Sequence, residues 1–146
     1  MNQFLTYILF IALVIASVLD LKKRQVPDAL SYGLTATGLV FGMILSVFYS
    51  SWNYFLSSLI GLVVSFIIGL IFYYLGQWGG GDAKILMGVG AFIGLSVAEL
   101  TGNAGVPLLL VFIINSIFAG AIYGLVWVIG LAIFNYKKIK TVLKII

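Results

Sequence analysis

Five long apolar runs dominate this chain of 146 residues and restrict the class of fold that it can adopt. They cover residues 4–19, 29–48, 54–75, 85–98 and 106–134. About 20 consecutive apolar residues in a helix cross a hydrocarbon core about 30 Å thick, and inside that core the backbone polar groups must be bonded within the segment. The sequence therefore predicts an all-α, polytopic transmembrane helical bundle with about five spans, forming one membrane-embedded domain over residues 1–146.

The composition excludes most kinds of active site. Hydrophobic residues make up 63% of the chain and charged residues only 8%, whereas soluble domains carry about 25% charged residues. The chain has no cysteine and no histidine, which excludes disulfides, thiol nucleophiles, a histidine base and the usual zinc sites. We therefore expect no metal and no cofactor. We expect no nucleic-acid partner either, because the basic residues cluster beside the apolar runs, where they set the orientation in the membrane.

The eight basic residues predict the orientation in the membrane. Lys22, Lys23 and Arg24 follow the first run, and no basic residue precedes it. The positive-inside rule then places the amino terminus outside and this loop in the cytoplasm. Threading the other runs from that start puts every remaining basic residue on the cytoplasmic side as well: Lys84, Lys137, Lys138, Lys140 and Lys144. The sequence predicts a multi-pass protein of the cytoplasmic membrane with its carboxyl terminus inside.

Two acids beside the ends of apolar runs are the candidates for chemistry. Asp20 follows the first run and Asp82 comes shortly before the fourth, so both are expected near the inner boundary of the membrane. An ionisable side chain is costly there unless it faces water or a partner, although a solvated loop position is an equal alternative for Asp20. Asp28 is expected to cap the second helix, and Glu99 lies on the outer side.

Three glycines, Gly79, Gly80 and Gly81, directly precede Asp82. Successive glycines allow positive φ and close approach of another chain, so we expect a strand-like loop beside which another extended chain can lie. The fourth run, at about 1.5 Å per residue, spans only about 21 Å, so its start is expected to be drawn into the membrane beside a wet cleft. Lys84 either orients this loop, tunes a nearby carboxylate or marks the cytoplasmic end of the helix.

If Asp20 reaches the same cleft as Asp82, the two carboxyl groups form one acid–base pair. Like charges a few ångströms apart do not both ionise cheaply, so one group holds a proton while the other accepts a proton from water. Such a pair hydrolyses peptide bonds without a metal or a histidine. The residues therefore favour an aspartic peptidase.

The motifs resemble those of the GxGD-type intramembrane aspartic peptidases that process type IV prepilins and archaeal preflagellins. The matching segments are DLKKRQVPD at residues 20–28 and GGGDAK at residues 79–84, in the family's order. The resemblance implies that Asp20 and Asp82 are the catalytic pair. It also implies a prepilin-like or preflagellin-like membrane precursor as substrate, whose short basic leader is removed at the cytoplasmic face.

Two departures from the family pattern and two alternatives accompany this interpretation. Without cysteines, the chain resembles the short members that lack the zinc-binding, methylating domain, and five runs stand against the family's usual six helices. A presenilin-like or signal-peptide-peptidase-like GxGD protease is one alternative, although such proteases carry tyrosine before the first aspartate, where this chain has Leu19. A non-catalytic transporter or assembly protein is the other. The sequence does not decide which precursor is the substrate, whether the chain forms a homo-oligomer, or whether it comes from a bacterium or an archaeon.

Overall fold

The computed structural model describes residues 3–23 and 25–134, and this part of the chain is helical with no strand. Its helices are α1 (Gln3–Lys23), α2 (Asp28–Phe48), α3 (Asn53–Tyr74), α4 (Gly80–Ile93), α5 (Val97–Leu100) and α6 (Leu108–Phe134). Helices α1, α2, α3 and α6 are long and apolar enough to cross a membrane. The prediction of an all-α polytopic bundle is confirmed. Its orientation stays a prediction, and Arg24 and the four lysines of the predicted tail lie outside the described residues.

The fourth apolar run gives a helix with other bounds than the sequence predicts. Helix α4 has 14 residues and begins at Gly80, five positions before the apolar run. It ends because Gly94 adopts φ +72°, a left-handed conformation that glycine tolerates and that stops a helix. The chain then forms the short helix α5, capped by Ser96, whose hydroxyl accepts a hydrogen bond from the backbone N–H of Glu99 at 3.2 Å. Among the described residues, four helices of spanning length and the shorter α4 thus correspond to the five predicted apolar runs.

Helix α4 lies at the centre of the first compact unit, which extends to Leu109. It packs against α2 and α3, and its second half carries the buried residues Leu86, Gly88, Val89, Gly90, Ala91 and Phe92. Glycines make this packing close. A Cβ placed on Gly38 of α2 would lie 2.9 Å from the backbone carbon of Ala91, and Gly61 of α3 lies directly against Gly90. Because lipid gives helices no hydrophobic reason to associate, close backbone contact of this kind holds a membrane bundle together.

The second unit begins at Leu110 and contains most of α6. With 27 residues, α6 is about 40 Å long at 1.5 Å per residue, which is enough for a tilted span. Pro107 precedes it, and proline is favoured beside a helix start because the first helical N–H groups have no partner inside the helix. The candidate functional residues all lie in the first unit.

Candidate active site

A cleft of about 770 Å³ opens where α1 ends and where α2 and α4 begin. Both aspartates predicted from the sequence line it, together with the three glycines and Lys84. The remaining wall comes from the end of α1 and the connector to α2: Lys23, Gln25, Val26, Pro27 and Asp28. The fold therefore brings two distant chain segments to one water-accessible site.

Asp20 lies in the last turn of α1, which continues beyond the apolar run as far as Lys23. Lys22 and Lys23 in this turn complement the negative end of the helix dipole. The Asp20 side chain is exposed, and among the described residues it takes part in no hydrogen bond or ion pair. Its carboxylate is thus available to water or to a bound molecule in the cleft.

Asp82 is fixed by the start of its own helix. Gly79 is the N-terminal cap of α4, with extended backbone at φ −76° and ψ 160°. Its N–H donates a hydrogen bond to Oδ2 of Asp82 at 3.0 Å, and the carboxylate lies at the positive end of the helix dipole. Within the described part of the chain the second oxygen, Oδ1, has no partner, so one oxygen orients the side chain and the other is open to the cleft.

The strand-like loop predicted at the three glycines is wrong. Gly80 and Gly81 form the first turn of α4, and none of the three adopts positive φ. The physical reason is the bond from Gly79 to Asp82, which satisfies one of the free donors at the helix start and favours helix despite the low helix propensity of glycine. The glycines do line the cleft, as expected.

Gly80 and Gly81 are not required by the packing of the described residues. A Cβ at Gly81 would lie 3.7 Å from the Cβ of Val26, and a Cβ at Gly80 would lie 3.7 Å from the ring of Tyr73. Both distances are ordinary van der Waals contacts, and both residues have helical backbone that any L-residue adopts. The two positions therefore present bare backbone to the cleft without an internal reason for it.

Lys84 and Asp28 form an ion pair across the cleft wall. Lys84 Nζ donates a hydrogen bond to Asp28 Oδ1 at 2.6 Å and lies 5.5 Å from the centre of the Tyr32 ring, a cation–π distance. The hydrogen bond and charge of Asp28 hold the pKa of Lys84 above its ordinary value of 10.5, so the ammonium is charged at neutral pH.

The expected capping role of Asp28 is also wrong. Pro27 is the N-terminal cap of α2, Asp28 is the first helical residue, and no side chain caps this helix. Asp28 instead turns toward Lys84 of α4. The sequence feature that could have indicated this pairing is two opposite charges near the starts of two helices, but the pairing itself depends on how these helices pack.

The three carboxylates of the cleft thus have different surroundings. Asp28 is paired with Lys84, Asp82 is held through one oxygen, and Asp20 is free among the described residues. No three histidine, cysteine or acidic side chains in the described ranges lie close enough to hold a metal ion. Asp20 and Asp82 are left as groups that can accept and donate protons in the same cleft.

Comparisons with known proteins agree on the family of this chain. Residues 7–125 match the model of the type IV leader peptidase family. Over 83 residues the chain is 39% identical to a preflagellin peptidase of Methanocaldococcus jannaschii and 39% identical to one of Methanococcus voltae. The identity to a preflagellin peptidase of Methanococcus maripaludis is 34%. Each match covers 57% of this chain and 35% or 36% of the relative, so the matched segment spans about a third of the relatives' length.

Proposed function

Because the chain belongs to the type IV leader peptidase family, we propose that it is a membrane-embedded aspartic endopeptidase. Its substrates are preflagellin-like or prepilin-like membrane precursors, from which it removes the leader peptide. The observation that carries this proposal is the meeting of Asp20 and Asp82 in one cleft, with the third carboxylate there already paired to Lys84.

The reaction assigns one role to each aspartate. One carboxylate acts as base and takes a proton from the water that attacks the carbonyl carbon of the peptide bond, while the other acts as acid toward the carbonyl oxygen. The tetrahedral intermediate then collapses, the C–N bond breaks, and a carboxyl group delivers the proton to the leaving nitrogen. Binding of the substrate brings the two groups to the distance that this transfer needs.

The bare backbone at Gly80 and Gly81 supports the approach of an extended peptide. The first N–H groups of a helix have no partner inside that helix, so the N–H groups of this turn can bond to substrate carbonyls. A side chain at either position would stand between the substrate and these donors. Glycine there serves the substrate, since the described fold does not demand it.

The proposed position of the active site in the membrane follows from the lysines beside the cleft. Lys22, Lys23 and Lys84 lie at the cleft end of their helices, which under the positive-inside rule is the cytoplasmic end. The active site then faces the cytoplasm from the cytoplasmic membrane. The hydrophobic segment of the precursor lies in the same bilayer, so that its leader reaches the cleft from the cytoplasmic side.

The test is cleavage of a defined precursor. The chain is co-expressed with a preflagellin of Methanococcus voltae, and the new amino terminus is sequenced. Cleavage at the leader junction by the wild type, lost in Asp20→Asn and in Asp82→Asn, is the expected result. Cleavage of a leaderless transmembrane stub instead would favour the presenilin-like alternative. Stabilisation by cations with no cleavage of either substrate would favour the non-catalytic one.

A further inference from the structure

The ion pair between Asp28 and Lys84 joins the two parts of the chain that form the cleft. It is the single ion pair within the described ranges, and it links positions 56 residues apart. Lys84 follows Asp82 by two residues near the start of α4. Asp28 is the first residue of α2, the helix that follows the one carrying Asp20. Each partner therefore stands beside one of the two candidate catalytic segments.

Packing alone fixes α2 against α4 farther along the helices. A Cβ on Gly88 of α4 would lie 3.0 Å from Leu34 of α2, and Gly38 is equally close to Ala91. Toward the cleft the spacing widens, since a Cβ on Gly81 would lie 3.7 Å from the Cβ of Val26, while a Cβ on Gly69 of α3 would lie 3.1 Å from the Cα of Ala83. The start of α4, which carries Asp82, is thus packed on α3, and the charged pair joins it to the start of α2.

We propose that Asp28 and Lys84 are positioning residues of this site. Their ion pair holds the start of α4 against the start of α2, and thereby sets the position of Asp82 relative to Asp20. The inference rests on the proposed function, because it concerns the geometry of that reaction. It gives Asp28, which lines the cleft as a third carboxylate, a role other than proton transfer.

The exposure of the two paired side chains favours a positioning role over a stabilising one. The side chains of Lys84 and Asp28 are 37% and 63% exposed, and ion pairs this exposed add little to the free energy of folding. Catalysis depends more steeply on geometry, since a misplacement of about 1 Å can cost about 100-fold in rate. The ring of Tyr32, 5.5 Å from Lys84 Nζ, further limits the positions that the ammonium can take.

The experiment measures kcat and KM for leader cleavage in Asp28→Asn, Lys84→Met and the double variant. Each single change is expected to lower kcat by about 10- to 100-fold with KM altered less than about twofold. The double variant is expected to be no slower than the singles, because both remove the same interaction. Lys84→Arg and Asp28→Glu keep the charges and are expected to retain most of kcat. Lys22→Met, which removes an exposed lysine of α1 that does not line the cleft, is the matched control.

The outcomes separate this inference from the proposed function. No cleavage by the wild type overturns the proposed function and this inference with it. Cleavage by the wild type with unchanged kcat in the single variants overturns the inference alone. A change confined to KM, or an additive loss in the double variant, also overturns it. If Lys84→Met does not accumulate in the membrane, Asp28→Asn and Asp28→Glu decide, because neither alters the packing of α4.

Discussion

The backbone N–H of Gly79 donates a hydrogen bond to Oδ2 of Asp82 at 3.0 Å. This bond gives one side chain two roles, since the carboxylate that the proposed reaction needs also caps the helix on which it lies. A catalytic side chain held through a backbone bond of its own helix needs little reorganisation before reaction. The two roles can be separated by substitution.

Substitutions of Asp82 are expected to separate chemistry from capping. Asp82→Asn removes the acid–base group but keeps a side-chain oxygen for the N–H of Gly79, whereas Asp82→Ala removes both. Both variants are expected to lose cleavage by about 10²- to 10⁴-fold, as for the loss of a general acid or base. Asp82→Asn is expected to lose only the interaction with the helix dipole, about 0.3–1 kcal/mol. Asp82→Ala also loses the hydrogen bond and is expected to be less stable than Asp82→Asn by about 0.5–1.5 kcal/mol, measured by thermal unfolding in detergent. Equal stability of the two variants would contradict the capping role.

Asp20 is expected to matter for activity alone. Its carboxylate is exposed and has no described hydrogen bond, so Asp20→Asn removes a reacting group and no contact among the described residues. The expected result is a loss of leader cleavage of about 10²- to 10⁴-fold with an unchanged Tm. Cleavage at the wild-type rate would exclude Asp20 from the reaction.

Alanine at Gly81 is expected to impair cleavage without weakening the fold. The new methyl group meets only ordinary contacts with Val26 at 3.7 Å, and alanine is favoured over glycine in a helix by about 0.5–1 kcal/mol. The Tm is therefore expected to rise slightly while KM for the precursor increases. Gly33→Ala, in an exposed part of α2 with nothing within 4 Å, is the control that gains stability and keeps activity. Wild-type kinetics in Gly81→Ala would remove the argument that the substrate needs bare backbone there.

Alanine at Gly38, on the same helix as Gly33, is expected to destabilise the fold. Its Cβ would lie 2.9 Å from the backbone of Ala91 and of Phe92, which a rigid neighbouring helix does not accommodate. Overpacking of this kind costs about 1–3 kcal/mol, so the Tm is expected to fall where that of Gly33→Ala rises. Equal Tm values for the two variants would show that the backbones of α2 and α4 are not in close contact at Gly38.

The sequence predicts the long helices well because each is a single apolar run between polar residues. The second run, residues 29–48, became α2 (Asp28–Phe48), and the third, residues 54–75, became α3 (Asn53–Tyr74). The start of helix α4 is less predictable, since its first turn, Gly-Gly-Asp-Ala, lies outside the apolar run. The bond that starts this helix joins Gly79 to Asp82, and no apolar pattern contains it.

The candidate site, like the fold, is predictable from the sequence only in part. The places of Asp20 and Asp82 beside apolar runs make them candidates from the sequence, because a charge near the membrane boundary stands out in so apolar a chain, and the fold brings both to one cleft. The partner of Asp28 was missed, because pairing with Lys84 depends on how α2 and α4 pack and not on local sequence. Charges that start different helices at one end of a bundle are the feature to search for in similar chains.

The most direct test of the central claim, that the segments carrying Asp20 and Asp82 meet at one cleft, is a disulfide between Val26→Cys and Gly81→Cys. The two Cβ positions are 3.7 Å apart, within the range of about 3.5–4.5 Å that a disulfide needs, and the chain has no cysteine of its own. The control pairs Val26→Cys with Ser51→Cys at the other end of α2, about 30 Å away along 21 helical residues. We expect rapid intramolecular oxidation of the first pair and none of the second. Failure of the first pair to oxidise while both thiols react with a labelling reagent would contradict the account.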